Sequence, residues 1–226
     1  EAIENGFSGP TLGFEFAGVV RTRGDQVHEG FLPGDRVVGF GPCSFANTVV
    51  TQANAVARIP HGMSFEAAAT IPSTFFTVYY ALNYLARLEP GETILIHGAA
   101  GGVGLAAVQI AKSCGARIFA TAGSDEKRDF LRMLGVDQVF DSRSLAYADQ
   151  ILALTGGVGI DVVLNSLAGE AINRNFNILR PFGRFLELGK RDFYQNTKVG
   201  LRPFRNNISY FGVDADQLMS ERPELT

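Results

Sequence analysis

Residues 93–104 read Thr93-Ile94-Leu95-Ile96-His97-Gly98-Ala99-Ala100-Gly101-Gly102-Val103-Gly104, and this stretch sets the fold. Its opening residues form a short apolar run, fit for a strand buried on both faces. From Val103 to Lys112 the pattern turns helical, with Val103, Ala107, Ile110 and Ala111 on one face, small enough to lie close against a sheet. Strand, glycine loop and helix, in that order, make the setting of a dinucleotide-binding turn. A diphosphate must approach backbone amides at the positive end of the helix, so side chains beside it must be tiny or absent. Gly98, Ala99, Ala100, Gly101, Gly102, Val103 and Gly104 are therefore candidate cofactor-binding residues, with Gly104 letting the helix press on its strand. Ala100 stands where a strict G-x-G-x-x-G would carry its middle glycine.

Helices and strands alternate outward from this turn at the spacing of βαβ units. A helix is expected over Thr77 to Leu88, stopped by Pro90-Gly91. Strands are expected at Arg117 to Ala122, Val139-Phe140, Asp161 to Leu164, Arg184 to Leu188 and Ile208 to Val213. Helices are expected at Asp125 to Leu134, Ala146 to Leu154 and Glu170 to Leu179. The fold class is α/β, a doubly wound parallel sheet over residues 76–226. Before it, residues 1–75 read as a β-rich region. There Phe14 to Val20, Val37 to Phe40 and Thr48 to Val50 suit strands, and Pro33-Gly34-Asp35-Arg36 suits a turn. Ser64 suits the N-cap of a short helix through Ala69 that ends near Pro72.

The end of the strand after the glycine loop bears on the choice of dinucleotide. An NAD site wants a carboxylate there for the ribose hydroxyls, and a 2′-phosphate would be repelled by one. This strand closes Phe119-Ala120-Thr121-Ala122-Gly123 with no acid, and Ser124, Lys127 and Arg128 follow. That favours NADPH, with Ser124 and Lys127 as candidate contacts, although Asp125 keeps NADH in play. Arg143 is a candidate for the adenosine phosphate. Asn165 and Ser166, at another strand end, are candidates to lie along the ribose and nicotinamide.

Hydrophobic residues at 46% and charged residues at 19% place the chain among globular proteins rather than disordered ones. A formal charge of −3 gives no electrostatic case for nucleic acid or anionic lipid. No apolar run has the length of a membrane helix, and no signal-peptide pattern opens the chain. Cys43 and Cys114 lack disulfide or metal spacing, which suits a reducing cytoplasm. His28, His61 and His97 show no ligand spacing, so each is expected to be structural and no metal site is expected.

Several motifs together resemble the medium-chain dehydrogenase/reductase superfamily. They are Gly13-Phe14-Glu15-Phe16-Ala17-Gly18, Pro33-Gly34-Asp35-Arg36-Val37, Ile71-Pro72 with Ala81-Leu82, and the glycine loop itself. Within it the chain is similar to enoyl reductase domains of polyketide synthases. Phe140-Asp141-Ser142-Arg143-Ser144-Leu145, Val163-Leu164-Asn165-Ser166-Leu167-Ala168-Gly169-Glu170, Glu187-Leu188-Gly189-Lys190-Arg191-Asp192 and Arg202-Pro203-Phe204-Arg205-Asn206-Asn207 carry that likeness. The resemblance implies a GroES-like character for residues 1–75 and a zinc-free site, since Phe14 stands where the zinc-dependent branch has a histidine. It implies that the chain is an excised piece, begun inside the first domain and closed at Pro223-Glu224-Leu225-Thr226 before the last elements of the second. It also implies NADPH-dependent reduction of the C=C bond of an α,β-unsaturated acyl thioester on an acyl carrier protein, beside other synthase domains. In that chemistry Lys190 and Asp214 match the lysine and aspartate put forward for the proton step, and Leu188 and Gly189 border the cofactor. The competing readings are a free-standing NADPH:quinone or enone oxidoreductase, disfavoured by the Leu188 to Asp192 and Asn165 to Glu170 runs, and a nucleotide-binding domain without turnover.

Overall fold

The computed structural model describes residues 11–27 and 30–222, and His28 lies outside them. The chain divides into two compact units, one drawn from residues up to Phe76 and from Asp214 onward, the other Thr77–Val213.

In the first unit, strands β1 (Glu15–Val19), β2 (Arg36–Phe40) and β3 (Val56–Arg58) form an antiparallel sheet of order β1-β2-β3. Glu15 pairs with Phe40, and Val38 with Ala57. The third strand is thus Val56–Arg58 and not Thr48 to Val50. That earlier run is irregular, with Val50 exposed, and the Thr51 hydroxyl beyond it donates to the Phe40 carbonyl. Helix α1 (Phe65–Ala69) starts as expected, its Ser64 Oγ accepting from the Ala67 amide at 3.1 Å. Pro72, expected to end a helix, instead opens α2 (Pro72–Tyr79). Proline has no N–H to lose at a helix's first position, and the Glu15 carboxylate accepts from the next amide, Ser73, at 2.7 Å. Val38, Ile59 and Ala68 form the small core of this unit.

In the second unit a π-helical turn spans Tyr80–Leu85, and the Ala86 amide reaches the Ala81 carbonyl. The sheet follows: β4 (Thr93–Ile96), β5 (Arg117–Ala122), β6 (Gln138–Asp141), β7 (Ile160–Asn165), β8 (Leu179–Glu187) and β9 (Ser209–Gly212). Among the described residues these run parallel in the order β6-β5-β4-β7-β8-β9. The chain therefore winds outward from β4 to one edge, then returns to β7 beside β4 and winds to the other. Open α/β sheets bind ligands at the carboxyl ends of the strands on either side of such a reversal. Ile94, Leu95 and Ile96 are wholly buried at that centre, as the apolar run predicted. Helices α3 (Gly102–Cys114), α4 (Asp125–Met133), α5 (Tyr147–Leu154) and α6 (Glu170–Ile178) make the connections, and Phe119, Tyr147, Ile151, Phe176 and Phe185 pack with Leu95 in the main core. α3 buries Gly104, Ala106, Ala107, Val108 and Ala111, so Ala107 and Ala111 of the expected face are buried while Val103 and Ile110 are only half-buried. Short helices α7 (Arg191–Tyr194) and α8 (Ala215–Glu221), which the sequence pattern does not announce, complete the described chain.

Arg184 of β8 closes the amino-terminal side of the sheet, its Nε donating to the Ala86 carbonyl and its two terminal nitrogens to the two oxygens of Glu92. Burial works to raise the Glu92 carboxyl, but Arg184 and the Glu89 amide outweigh it and hold it below the usual range. A carboxyl lowered in the folded state stabilises above its unfolded pKa and loses that contribution as pH falls through the folded one. Glu92→Gln should lower the melting midpoint by about 2–4 °C at neutral pH, with the gap closing well below pH ~4.3, as read by thermal denaturation at stepped pH.

Candidate functional site

The glycine loop leaves β4 at the sheet's reversal. Gly98 has φ +62°, a left-handed turn that sends the chain sharply toward α3. A Cβ on Gly104 would meet the Ala99 Cα at 2.5 Å, so only glycine allows the helix this close to the loop. The close packing expected of Gly104 is thus made against the loop's own Ala99. Three loop amides are spent internally: Ala99 donates to the Thr121 carbonyl at 3.0 Å, Gly101 to the Gly98 carbonyl at 3.0 Å, and Gly98 to the Thr121 hydroxyl at 3.4 Å. Gly101, the N-cap of α3, supplies no side-chain cap. The first-turn amides at Gly102, Val103 and Gly104 therefore have no intrahelical acceptor, and the positive end of α3 stands ready for an anion. The residues fit a dinucleotide diphosphate, with the amides of Gly98, Ala99 and Gly101 already spent inside the protein. Ala100 is half-buried between them.

At the end of β5, Gly123 lies under Arg143: a Cβ there would come within 3.5 Å of the Arg143 Nε and 3.4 Å of the Ser142 Oγ. Ser124 caps α4, its Oγ accepting from the Lys127 amide at 3.4 Å. Lys127 is exposed. Arg128 is committed elsewhere, donating to the Ala122 carbonyl at 3.1 Å and pairing with Asp125 and Asp141. Of Lys127, Arg128 and Arg143, the first and last thus remain to meet a ribose phosphate.

A buried line of hydrogen bonds joins the strand ends. His97, 4% exposed, has Nδ1 3.0 Å from the Thr121 Oγ1 and Nε2 2.9 Å from the Asn175 Oδ1, with its ring edge-on to Tyr147. The Tyr147 hydroxyl donates to the same Oδ1 at 2.8 Å, and the Asn175 Nδ2 donates to the Asn165 Oδ1 at 3.0 Å. Asn165 Nδ2 donates to the Leu167 carbonyl and to Glu187 Oε2, each at 2.6 Å. Glu187 Oε1 accepts from the Gly189 amide at 2.6 Å. The donors and acceptors settle the tautomer: an Asn175 oxygen can only accept, so His97 carries its proton on Nε2 and takes the Thr121 hydroxyl on Nδ1. Asn165 is wholly buried, and its side-chain amide supports the strand ends through these bonds. Ser166 sits at the loop, its Oγ 3.4 Å from the His97 carbonyl.

Leu188 donates its amide to the Asn165 carbonyl at 2.9 Å, and Lys190 is the N-cap residue of α7. Asp214 belongs to the other compact unit, where it caps α8 by accepting from the Gln217 amide at 3.3 Å. Sequence reasoning does not single out Thr121, Asn175 or Glu187. Thr121 lies inside a strand that stands out for its lack of acid, and Glu187 inside a motif that stands out for its lysine.

Residues 102–224 match the zinc-binding dehydrogenase family. The nucleotide-binding subdomain of the enoylreductase domain of PpsC from Mycobacterium tuberculosis shares 54% identity, with a TM-score of 0.64 over 66% of this chain and 84% of that one. The chain belongs to the enoyl reductase domains of polyketide synthases, within the zinc-binding dehydrogenase family. The CurK enoyl reductase aligns at 41% identity and a TM-score of 0.81, over 95% of this reductase chain and 64% of its own. A phenolphthiocerol/phthiocerol polyketide synthase of M. tuberculosis is 49% identical over 214 residues, 95% of the reductase chain. The reductase chain spans about a tenth of the length of the curated relatives it matches.

The zinc of the family's description does not fit the described residues. No group of three or more His, Cys, Asp or Glu side chains among them is arranged to hold a metal ion. His97 is enclosed in its network, His61 and Cys43 are exposed, and Cys114 donates to the Leu88 carbonyl at 2.9 Å. Among the described residues no helix is long and apolar enough to cross a membrane.

Burial lowers the His97 pKa to about 4 despite its Asn175 bond, so the ring stays neutral. Burial raises Glu187 to about 7, aided by Asp192 and opposed by Asn165 and Gly189. The two pull stability in opposite directions. Between pH ~6.5 and 4 the unfolded histidine takes up a proton that the folded one refuses, so acidification destabilises. Between pH 7 and ~4.3 the folded glutamate takes up a proton that the unfolded one refuses, so acidification stabilises. Denaturant titrations from pH 7 to 4.5 should therefore show His97→Asn gaining on the unsubstituted protein as pH falls, and Glu187→Gln losing to it.

Proposed function

We propose that this chain supplies the cofactor-binding core of an NADPH-dependent reduction of the C=C bond of an α,β-unsaturated acyl thioester, presented on an acyl carrier protein within a polyketide synthase. The observation that carries the reading is the uncapped first turn of α3 above a glycine loop, at the sheet's reversal. Homologous domains named as enoyl reductases support it.

The chain's own contributions follow from the site. The amides of Gly102, Val103 and Gly104 hold the diphosphate. Ser124, Lys127 and Arg143 surround the 2′-phosphate, and the β5 end offers no carboxylate to repel it; this is the basis for NADPH over NADH. Ser166, Leu188 and Gly189 border the ribose and nicotinamide. A nicotinamide held there would supply the hydride that the β-carbon of the enoyl chain accepts. Negative charge then gathers on the thioester oxygen, and a proton must reach the α-carbon. Lys190, at the turn after β8, is the proposed proton donor, with Asp214 as the second candidate.

With the full-length protein, crotonyl thioester should be reduced with loss of the reduced-nicotinamide absorbance. Turnover of quinones without thioesters would sink the reading. Arg143→Ala and Lys127→Ala should each weaken NADPH by about tenfold and leave NADH nearly unchanged, as read by fluorescence titration. Lys190→Ala should lower kcat by about 10²-fold with little change in NADPH affinity.

A further inference from the structure

Glu187 is a carboxyl group with 1% of its surface exposed, and both oxygens are engaged by N–H donors. Burying a carboxyl is costly unless its bonds do something that an apolar side chain could not. Each of the bonds ends on a segment of the candidate site. Oε1 takes the Gly189 amide, inside the turn that precedes Lys190. Oε2 takes Asn165, which passes the line to Asn175, His97 and Thr121, whose hydroxyl and carbonyl hold the glycine-loop amides of Gly98 and Ala99. The fit at residue 189 is tight, since a Cβ there would meet Glu187 Oε1 at 2.8 Å.

We propose that Glu187 is a positioning residue, whose carboxyl holds the Leu188–Lys190 turn through the Gly189 amide and locks it to the glycine loop through Asn165, Asn175, His97 and Thr121. The inference rests on the reductase reading for its kinetic consequence, and on the hydrogen bonds alone for its structural one.

The polarity of the line explains why the residue is a glutamate. Asn165 and Gly189 both present hydrogens to residue 187, so that residue must accept at both ends, as the carboxyl does when ionised above its pKa of about 7. Glutamine accepts at one end only, and whichever way its amide turns, an N–H faces another N–H. Asp192 of α7 and Tyr210 of β9 are the titratable groups whose charges act on Glu187, and neither supplies a donor to it in the described contacts. Adding Asn165→Asp to Glu187→Gln would restore the match, since the new carboxylate accepts both the introduced glutamine amide and the Asn175 amide. The cost falls at Leu167, whose carbonyl would then face a carboxylate oxygen in place of the Asn165 amide.

The test uses Glu187→Gln, Asn165→Asp and the double variant in the full-length protein, with two readouts. Backbone hydrogen exchange of the 188–190 segment needs no substrate. It should quicken by about tenfold in each single variant and return toward the original rate in the double one. Steady-state reduction of crotonyl thioester should show kcat lowered by about tenfold in each single variant, NADPH affinity within about twofold, and kcat recovered in the double variant. Unchanged exchange and kcat in Glu187→Gln, or a double variant no better than its worse parent, would overturn the proposal. Should the single variants fail to fold, Gly189→Ala puts the same question by crowding Oε1, and an unchanged kcat and exchange rate there would overturn it equally. If the unsubstituted protein reduces no thioester with NADPH, the reductase reading falls, and the exchange measurement still decides the role of Glu187.

Discussion

The carboxyl ends of four neighbouring strands, β5, β4, β7 and β8, are held by one buried line of hydrogen bonds, and the site depends on it. Parallel strands offer their last carbonyls and side chains to a region that must be open for a ligand yet fixed in shape. Hydrophobic contact cannot fix it, because apolar packing is non-directional. Here the directional work falls to Thr121, His97, Asn175, Asn165 and Glu187, all within the protein and each fully partnered. A buried polar network of this kind is stabilising only when every member is satisfied.

The same accounting separates the amides that build the glycine loop from those left to a ligand. Three of them tie the loop down, two to Thr121 and one within the loop. The first turn of α3 keeps its donors because glycine at the N-cap contributes no oxygen of its own. A serine in place of Gly101 would supply an internal acceptor where an external anion is wanted.

Much of this is legible in the sequence because it rests on local rules. The β4 run, the glycine loop, the Ser64 cap and the alternation that follows each depend on neighbours within a few residues, and the doubly wound parallel class follows from them. Sequence and structure part where distant residues decide the outcome. Thr48 to Val50 has strand composition but loses its place to Val56–Arg58, while Thr51 bonds Phe40 through its side chain. Pro72 reads as a stop until the Glu15 carboxylate, 58 positions from Ser73, is seen to cap the helix it starts. The polar line is hidden for the same reason. The structural character of His97 is readable, but its partners Thr121 and Asn175 stand 24 and 78 positions further on, and no spacing rule connects them. Lys190 stands out by its charge, whereas Glu187 beside it does not, because burial rather than sequence gives it its character.

The line also limits how this protein can change over generations. Its members come from five separate segments, and each bond requires a donor on one side and an acceptor on the other. A replacement at any one of them sets like against like at the next, so single steps are penalised and the accessible routes pass through paired exchanges. Asn165 and Glu187 are the pair most able to trade roles, because their shared bond can be reversed at the cost of the bond to the Leu167 carbonyl. Lineages of this domain should therefore keep the whole set or replace it in matched couples.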